Sequence, residues 1–283
     1  MSSEIDRSGY DFSRARLLSF FNQVRGTLSG RRRRLLAFDE VREKLHLGGP
    51  VYRGVQTVPL DKVIGSVNRY RDFDRLFLPT QSHTEDRWRR INRAWYQEVN
   101  LPPVLLYKVG EVYFVVDGNH RVSVARDRGQ AFIDAEVREV ESRVPVTADI
   151  LPNDLELLGE RVEFLERTQL DRLYPEVVIQ PTVLGGYDRL LEHIAVHRYF
   201  MGIDQGRPIS EEEAVRHWHE TLYLPVVQVV DRSEVLEELP GRTATDIYLW
   251  TMDHLHFLNS QEGGAPAGPG EAAADLIESI RDD

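Results

Sequence analysis

The stretch Val115-Val116-Asp117-Gly118-Asn119-His120-Arg121-Val122 decides how this chain is read. An apolar run ends at an aspartate and a glycine, and a helix-compatible segment starts straight after, so a strand end, a tight turn and a helix start lie side by side. A helix opening there leaves unpaired backbone N–H groups at the positive end of its dipole, which favours a bound anion. Gly118 would let the backbone come close to a ligand, and His120 and Arg121 can donate hydrogen bonds and charge to phosphate oxygens. Asn119 belongs to the same turn, and Asp117 can orient the loop or hold a divalent metal. The plainer alternative is a simple turn in which Asp117 or Asn119 caps the helix.

Working outward, Val104–Tyr107 and Tyr113–Val116 flank Lys108-Val109-Gly110-Glu111-Val112, a hairpin signal. The helix after Gly118 should run over 119–128 to Gly129, and Phe132, Ile133, Ala135, Val137 and Val140 predict a closing strand. Upstream, Val55, Val58, Leu60, Val63 and Ile64 predict a strand running into a turn, with Pro59 confining it to an edge or a strand end. A polar loop follows, Asn68-Arg69-Tyr70-Arg71-Asp72-Phe73-Asp74-Arg75. Ser82 with Glu85 then reads as a capping box for a helix over 84–98, ended by Pro102-Pro103. These elements make 56–142 a compact α/β (α+β) unit.

On the N-terminal side, residues 1–55 read as a helical segment. Phe12, Leu17, Leu18, Phe20, Phe21, Val24 and Leu28 predict a helix over 12–29 stopped by Gly30, and a second is expected over 39–46. Residues 143–260 read as a mostly α-helical domain. Asn153 can cap a helix to Thr168, Val177–Ile179 suggest a brief strand, and helices are expected over 187–201, 211–223 and 244–259. Ser210 and Glu213 form a second capping box there, and Pro225 should bend or break the run. Residues 261–283 read as a flexible linker, Gly263 to Gly270, and a short amphipathic tail over 271–280.

The 283 residues are 41% hydrophobic and 29% charged, an ordinary balance for a folded protein. There is no cysteine, which excludes disulfides, thiolate metal sites and thiol nucleophiles. No run approaches the roughly 20 apolar residues of a membrane span, and the first residues lack the apolar core of a signal peptide, so a cytoplasmic protein with no membrane partner is expected. The net charge of −11 is uneven: +5 over 1–55, 0 over 56–142 and −16 over 143–283. The acidic half disfavours nucleic acid, and only the run Arg31 to Arg34 offers a basic contact, with a solvated helix end as its plainer reading.

Three segments resemble the ParB/sulfiredoxin superfamily: Val58-Pro59-Leu60-Asp61-Lys62-Val63, Leu101-Pro102-Pro103-Val104, and Asp117-Gly118-Asn119-His120-Arg121 at the signature loop. ParB proteins carry Gly-Glu-Arg-Arg there for CTP, sulfiredoxins Gly-Cys-His-Arg for ATP, and free-serine kinases of the superfamily Asp-Gly-His-His-Arg, the nearest of the three. The resemblance implies a nucleotide, ATP or CTP (or ADP) with Mg²⁺, held at its phosphates by Gly118, Asn119, His120 and Arg121, with the metal at Asp117. The Arg69/Arg71/Asp72 loop would approach from across the cleft. In a nucleotide-dependent regulatory or switch protein these residues bind and the helical domain responds or dimerises. In a small-molecule kinase, Asp117, His120 and either Asp72 or Asp74 as base would be catalytic. A ParB-like DNA-associated regulator is the third reading, and nothing matches a helix-turn-helix beyond a plausible start at Gly206. Asn119 stands where sulfiredoxins keep their reactive cysteine, so sulfinic-acid repair is excluded. Segments such as Glu192–Met201 and Pro240–Trp250 resemble a bacterial helical family without known activity.

Six of the nine histidines fall in pairs, His193/His197, His217/His219 and His254/His256, of which only the first has the i, i+4 spacing that can chelate from one helix face. Packed or hydrogen-bonded histidines are the plainer reading. Tyr248, Leu249, Trp250, His254 and Phe257 read as a core stripe.

Overall fold

The computed structural model describes residues 10–19, 35–97, 99–260 and 268–282. They fall into two compact units, Met1–Leu158 and Gly159–Asp283.

The first unit is built on a mixed six-stranded sheet. Its strands are β1 (Leu36–Ala37), β2 (Val51–Pro59), β3 (Val63–Ser66), β4 (Val104–Val109), β5 (Val112–Asp117) and β6 (Phe132–Val140), in the order β1-β3-β5-β4-β6-β2. The two central strands form the expected hairpin, turning at Gly110 with Val109 opposite Val112. Both are apolar because both faces of the sheet are covered, and Leu106, Val109, Val112, Phe114 and Val115 are all buried. β3 runs parallel to β5 and β6 parallel to β4, while β2 closes one edge antiparallel to β6. Pro59 lies at the end of that edge strand, where its missing N–H costs no ladder bond.

Before the sheet come α1, helical over residues 10–19, and α2 (Phe38–Lys44). The rest of the helix expected over 12–29, and Arg31 to Arg34, lie outside the described residues. β1 adds to the sheet beside β3, where Gly65 permits the close approach: a Cβ there would sit 2.4 Å from the Phe114 ring and 2.5 Å from the Leu36 carbonyl oxygen. The boundary expected at 55/56 thus falls inside β2.

α3 (Glu85–Tyr96) and α4 (Asn119–Asp127) pack on each other through the buried Trp88, whose indole N–H donates to Ser123 Oγ at 2.9 Å. The capping box expected at Ser82 does not form. Ser82–Thr84 is a 3₁₀ turn that leads the chain into α3 already helically wound, so Thr84 takes the cap position and no side chain caps the helix.

The second unit's regular elements are all helices among the described residues. α5 (Asp154–Thr168) crosses the unit boundary, and α6 (Leu170–Leu173), α7 (Gly186–Gln205), α8 (Glu211–Trp218), α9 (Leu224–Ser233), α10 (Val235–Glu238), α11 (Ala244–Ser260) and α12 (Pro269–Asp282) follow. The strand expected at 177–179 is absent; the segment is irregular, and the Ile179 carbonyl accepts from Tyr187 Oη instead of a neighbouring strand. Ser210 does cap α8, accepting the Glu213 N–H at 3.2 Å, but the Glu213 carboxylate pairs with Arg207 and does not close the box. The break expected at Pro225 takes another form. A π turn at His219–Tyr223 joins α8 to α9, and Pro225 sits in the first turn of α9, where a proline is tolerated. Tyr187, Trp218, Tyr223, Tyr248 and Leu249 are buried in this unit; of the stripe expected on α11, Tyr248 and Leu249 are core, Trp250 and His254 are half-buried, and the Phe257 side chain lies outside the described residues. Among the described residues no helix is long and apolar enough to cross a membrane.

Candidate functional site

The glycine turn forms where the sequence places it. β5 ends at Asp117, Gly118 adopts a left-handed conformation (φ 104°), and α4 begins at Asn119. The first intrahelical bond runs from the Val122 N–H to the Gly118 carbonyl at 3.0 Å, so the amides of Asn119, His120 and Arg121 precede the ladder. No side chain caps them, which removes the simple-cap reading of Asp117 or Asn119.

What fills the space at Gly118 differs from expectation. A Cβ there would lie 2.6 Å from Val104 Cγ1 and 3.0 Å from Arg121 Nε and Nη2. The missing side chain therefore makes room for the chain's own guanidinium and not for a ligand. Arg121 is committed: Nη2 meets Asp117 Oδ2 at 2.7 Å, and Nη1 donates to the carbonyls of Pro103 (2.9 Å) and Pro102. It clamps the Pro102-Pro103 bend onto the turn and neutralises Asp117, whose carboxylate is 77% exposed. Arg121 also lines a cleft of about 280 Å³ with Trp95, Pro103 and Phe132. That volume lies below the roughly 300–1,000 Å³ of ordinary ligand pockets and is too small for a whole nucleoside triphosphate.

His120 points to a different neighbourhood. Its ring is 6% exposed and stands edge-on to Phe73 at 5.3 Å. Burial, reinforced by the cations Arg69 and Arg87, pushes its pKa down to about 4, with Asp72 opposing. The imidazole is neutral at pH 7 and supplies one donor and one acceptor but no charge, which corrects the expectation of a cationic His120. Neither ring nitrogen has a hydrogen-bond partner, and nor does Oδ1 of the equally buried Asn119.

The polar loop lies against this histidine because Ser66, buried at the end of β3, donates through Oγ to the Val115 carbonyl and accepts the Arg69 N–H. Arg69 Nη1 pairs with Asp72 Oδ2 at 3.1 Å, and His83 Nε2 stands 3.5 Å from Asp72 Oδ1. Arg71 turns its guanidinium over the Tyr70 ring at 5.5 Å. Asp74 is structural: Oδ1 accepts the Leu76 and Leu78 N–H groups at 2.9 Å each, and burial raises its pKa.

The residues read from sequence thus separate into two groups. His120, Arg69 and Asp72 share one site, joined by Ser66, His83 and Arg87, which sequence reasoning did not single out. His83 and Arg87 carry an i, i+4 spacing that could have marked them. Asp117, Gly118 and Arg121 close on themselves at the Pro102-Pro103 bend.

In the second unit, the i, i+4 pair His193/His197 does not act together. His197 Nε2 lies 2.7 Å from His217 Nδ1 on α8, and the rings stack. His219 stacks on Tyr174 at 4.2 Å, and His254 pairs with Asp275. No group of three or more metal-ligating side chains occurs among the described residues. No family model matches the chain, and no curated protein matches its sequence.

Proposed function

We propose that the first unit is a ParB/sulfiredoxin-like nucleotide-binding module that holds the phosphates of ATP or CTP, with Mg²⁺, at the first turn of α4, and that the protein works as a nucleotide-dependent switch. One observation carries this reading: three buried polar atoms of Asn119 and His120 lack partners at an uncapped helix start beside Arg69, His83 and Arg87. Buried polar groups are normally satisfied, so such a cluster marks a place where another molecule's polar atoms fit. Phosphate oxygens suit it. They accept from the free amides, from an imidazole N–H and from a guanidinium that shares itself with Asp72, while Asn119 Oδ1 and the unprotonated ring nitrogen would accept from a hydroxyl or amino group of the same ligand.

The metal is the harder fit. Mg²⁺ needs only one or two carboxylates besides phosphate oxygens. Asp117 is the candidate, once Arg121 exchanges that carboxylate for a phosphate. This exchange of partners at the Pro102-Pro103 clamp is the switch. Phosphoryl transfer finds less support, because Asp72 is ion-paired and Asp74 is 4% exposed, its Oδ1 taken by two amides and only Oδ2 left without a partner. The acidic second unit argues against DNA.

Calorimetry of the full chain with ATP, CTP and ADP, each with Mg²⁺, should give saturable binding of one nucleoside triphosphate, weakened at least about tenfold in Arg69→Ala. Absence of heat from all three ends this reading. Transfer of labelled phosphate to serine or another hydroxylated metabolite would replace the switch with a kinase.

A further inference from the structure

We infer that the cleft between α7 and the segment Arg207-Pro208-Ile209 binds an amphipathic monoanion, a medium-chain fatty carboxylate, with its alkyl chain on the aliphatic floor and its head at Arg167 and Arg198. A chain reversal makes the cleft. Gly206, with φ of 60°, ends α7, and the residues after it fold back beside the helix. The two meet at Gly202, where a Cβ would sit 3.4 Å from the Arg207 carbonyl oxygen and 4.0 Å from Ile209 Cγ1. Arg198 fixes the returning segment, its Nε donating to the Ile209 carbonyl at 2.7 Å. The space left between the end of α5, α7 and the start of α8 measures about 610 Å³, well within the roughly 300–1,000 Å³ of ligand pockets.

Two features of the lining select the ligand. The floor is aliphatic, with Ile194, Ile209 and Val215 buried and Ala195 and Ile203 more exposed, and Tyr199 supplies the one ring among the described residues. Such a surface takes up a flexible alkyl chain and gives a flat base no pair of rings to lie between. The mouth carries Arg167, Arg198 and Arg207, in a half of the chain, 143–283, whose net charge is −16. Arg207 is held by both carboxylate oxygens of Glu213. Arg198 reaches Glu211 only at 3.4 Å through Nη1, and its Nη2 has no partner among the described residues. Arg167, in the last turn of α5, makes no hydrogen bond or ion pair among the described residues. Three guanidiniums against the carboxylates of Glu211 and Glu213 leave one positive charge over. A single carboxylate head balances it, whereas a polyphosphate or a nucleic acid would meet the surrounding acidic charge.

This inference concerns the second unit alone and goes beyond the nucleotide reading, whose failure would leave it standing. Calorimetry of the full chain with octanoate, decanoate and dodecanoate, each below its micellar concentration, should show one saturable site that tightens roughly two- to fourfold per added methylene. Decanol has the chain without the charge and should bind at least about tenfold more weakly than decanoate. Arg167→Met keeps an unbranched apolar stem and removes the cation, so it should weaken decanoate about tenfold and leave decanol unaltered. Ala195→Trp fills the cleft from α7 and should abolish binding of both, with an unchanged circular dichroism spectrum. No binding of any of the three acids, decanol as tight as decanoate, or decanoate binding undiminished in Ala195→Trp would each overturn the assignment.

Discussion

His120 shows how burial changes what a residue can do. A histidine beside a glycine turn reads as a cation for phosphate, yet Phe73 and two nearby arginines keep the ring neutral. The fold holds its pKa, about 4, below the unfolded value of 6.5. The folded chain therefore binds fewer protons than the unfolded chain between those values, and the stability tied to this group, fully present above pH 6.5, falls as pH drops toward 4, by up to about 3 kcal/mol. Proton NMR should find a His120 resonance still untitrated at pH 5.5, and a midpoint near 6.5 would contradict the buried geometry. A bound phosphate should move that midpoint upward. At Gly118, φ of 104° and the 2.6 Å approach to Val104 make any side chain strained. Gly118→Ala should cost roughly 1–3 kcal/mol in denaturant unfolding, with or without nucleotide.

Among the elements, α1, α3 and α4 are tied by one polar network. Asp11 accepts from Asn92, Tyr96 and Arg128, and Arg128 also donates to Asn92 Oδ1 while its guanidinium lies over the rings of Trp95 and Tyr96. Burial alone would raise the Asp11 carboxyl, but the hydrogen bonds from Asn92 and Tyr96 and the charge of Arg128 together leave it below its usual value. Arg128→Ala strands both Asp11 and Asn92 and removes the ring contacts. A loss of about 2–4 kcal/mol is expected, read as a lower denaturation midpoint at unchanged slope. The loss should shrink as pH falls below the ordinary Asp range, because protonated Asp11 no longer needs the cation.

For the molecule as a whole, division into two units with separate cores predicts unfolding that is not two-state. Scanning calorimetry should resolve two components. A nucleotide at about 100 times its dissociation constant should stabilise one of them by about 2.7 kcal/mol and leave the other in place. A single transition that moves as one would show the two units to be energetically inseparable.

The strand order, the parallel pairings and the split into β2 and β3 came from the tertiary structure. From the sequence came the α/β character of the first half, the β4–β5 hairpin, the glycine turn into α4, the closing strand and the helical second half. These depend on local periodicity and on glycine and proline chemistry, which a few neighbouring residues supply. Only the tertiary structure decided which side chains meet. Arg121 belongs to the Pro102-Pro103 bend and Asp117, while His120 belongs with Arg69, Asp72, His83 and Arg87, because a helix turns successive residues by about 100° and sends neighbours to different surroundings. The charge state of His120 was likewise beyond the motif. Desolvation is set by residues such as Phe73, nearly fifty positions away in the chain, and proximity in space, not spacing in sequence, fixes it.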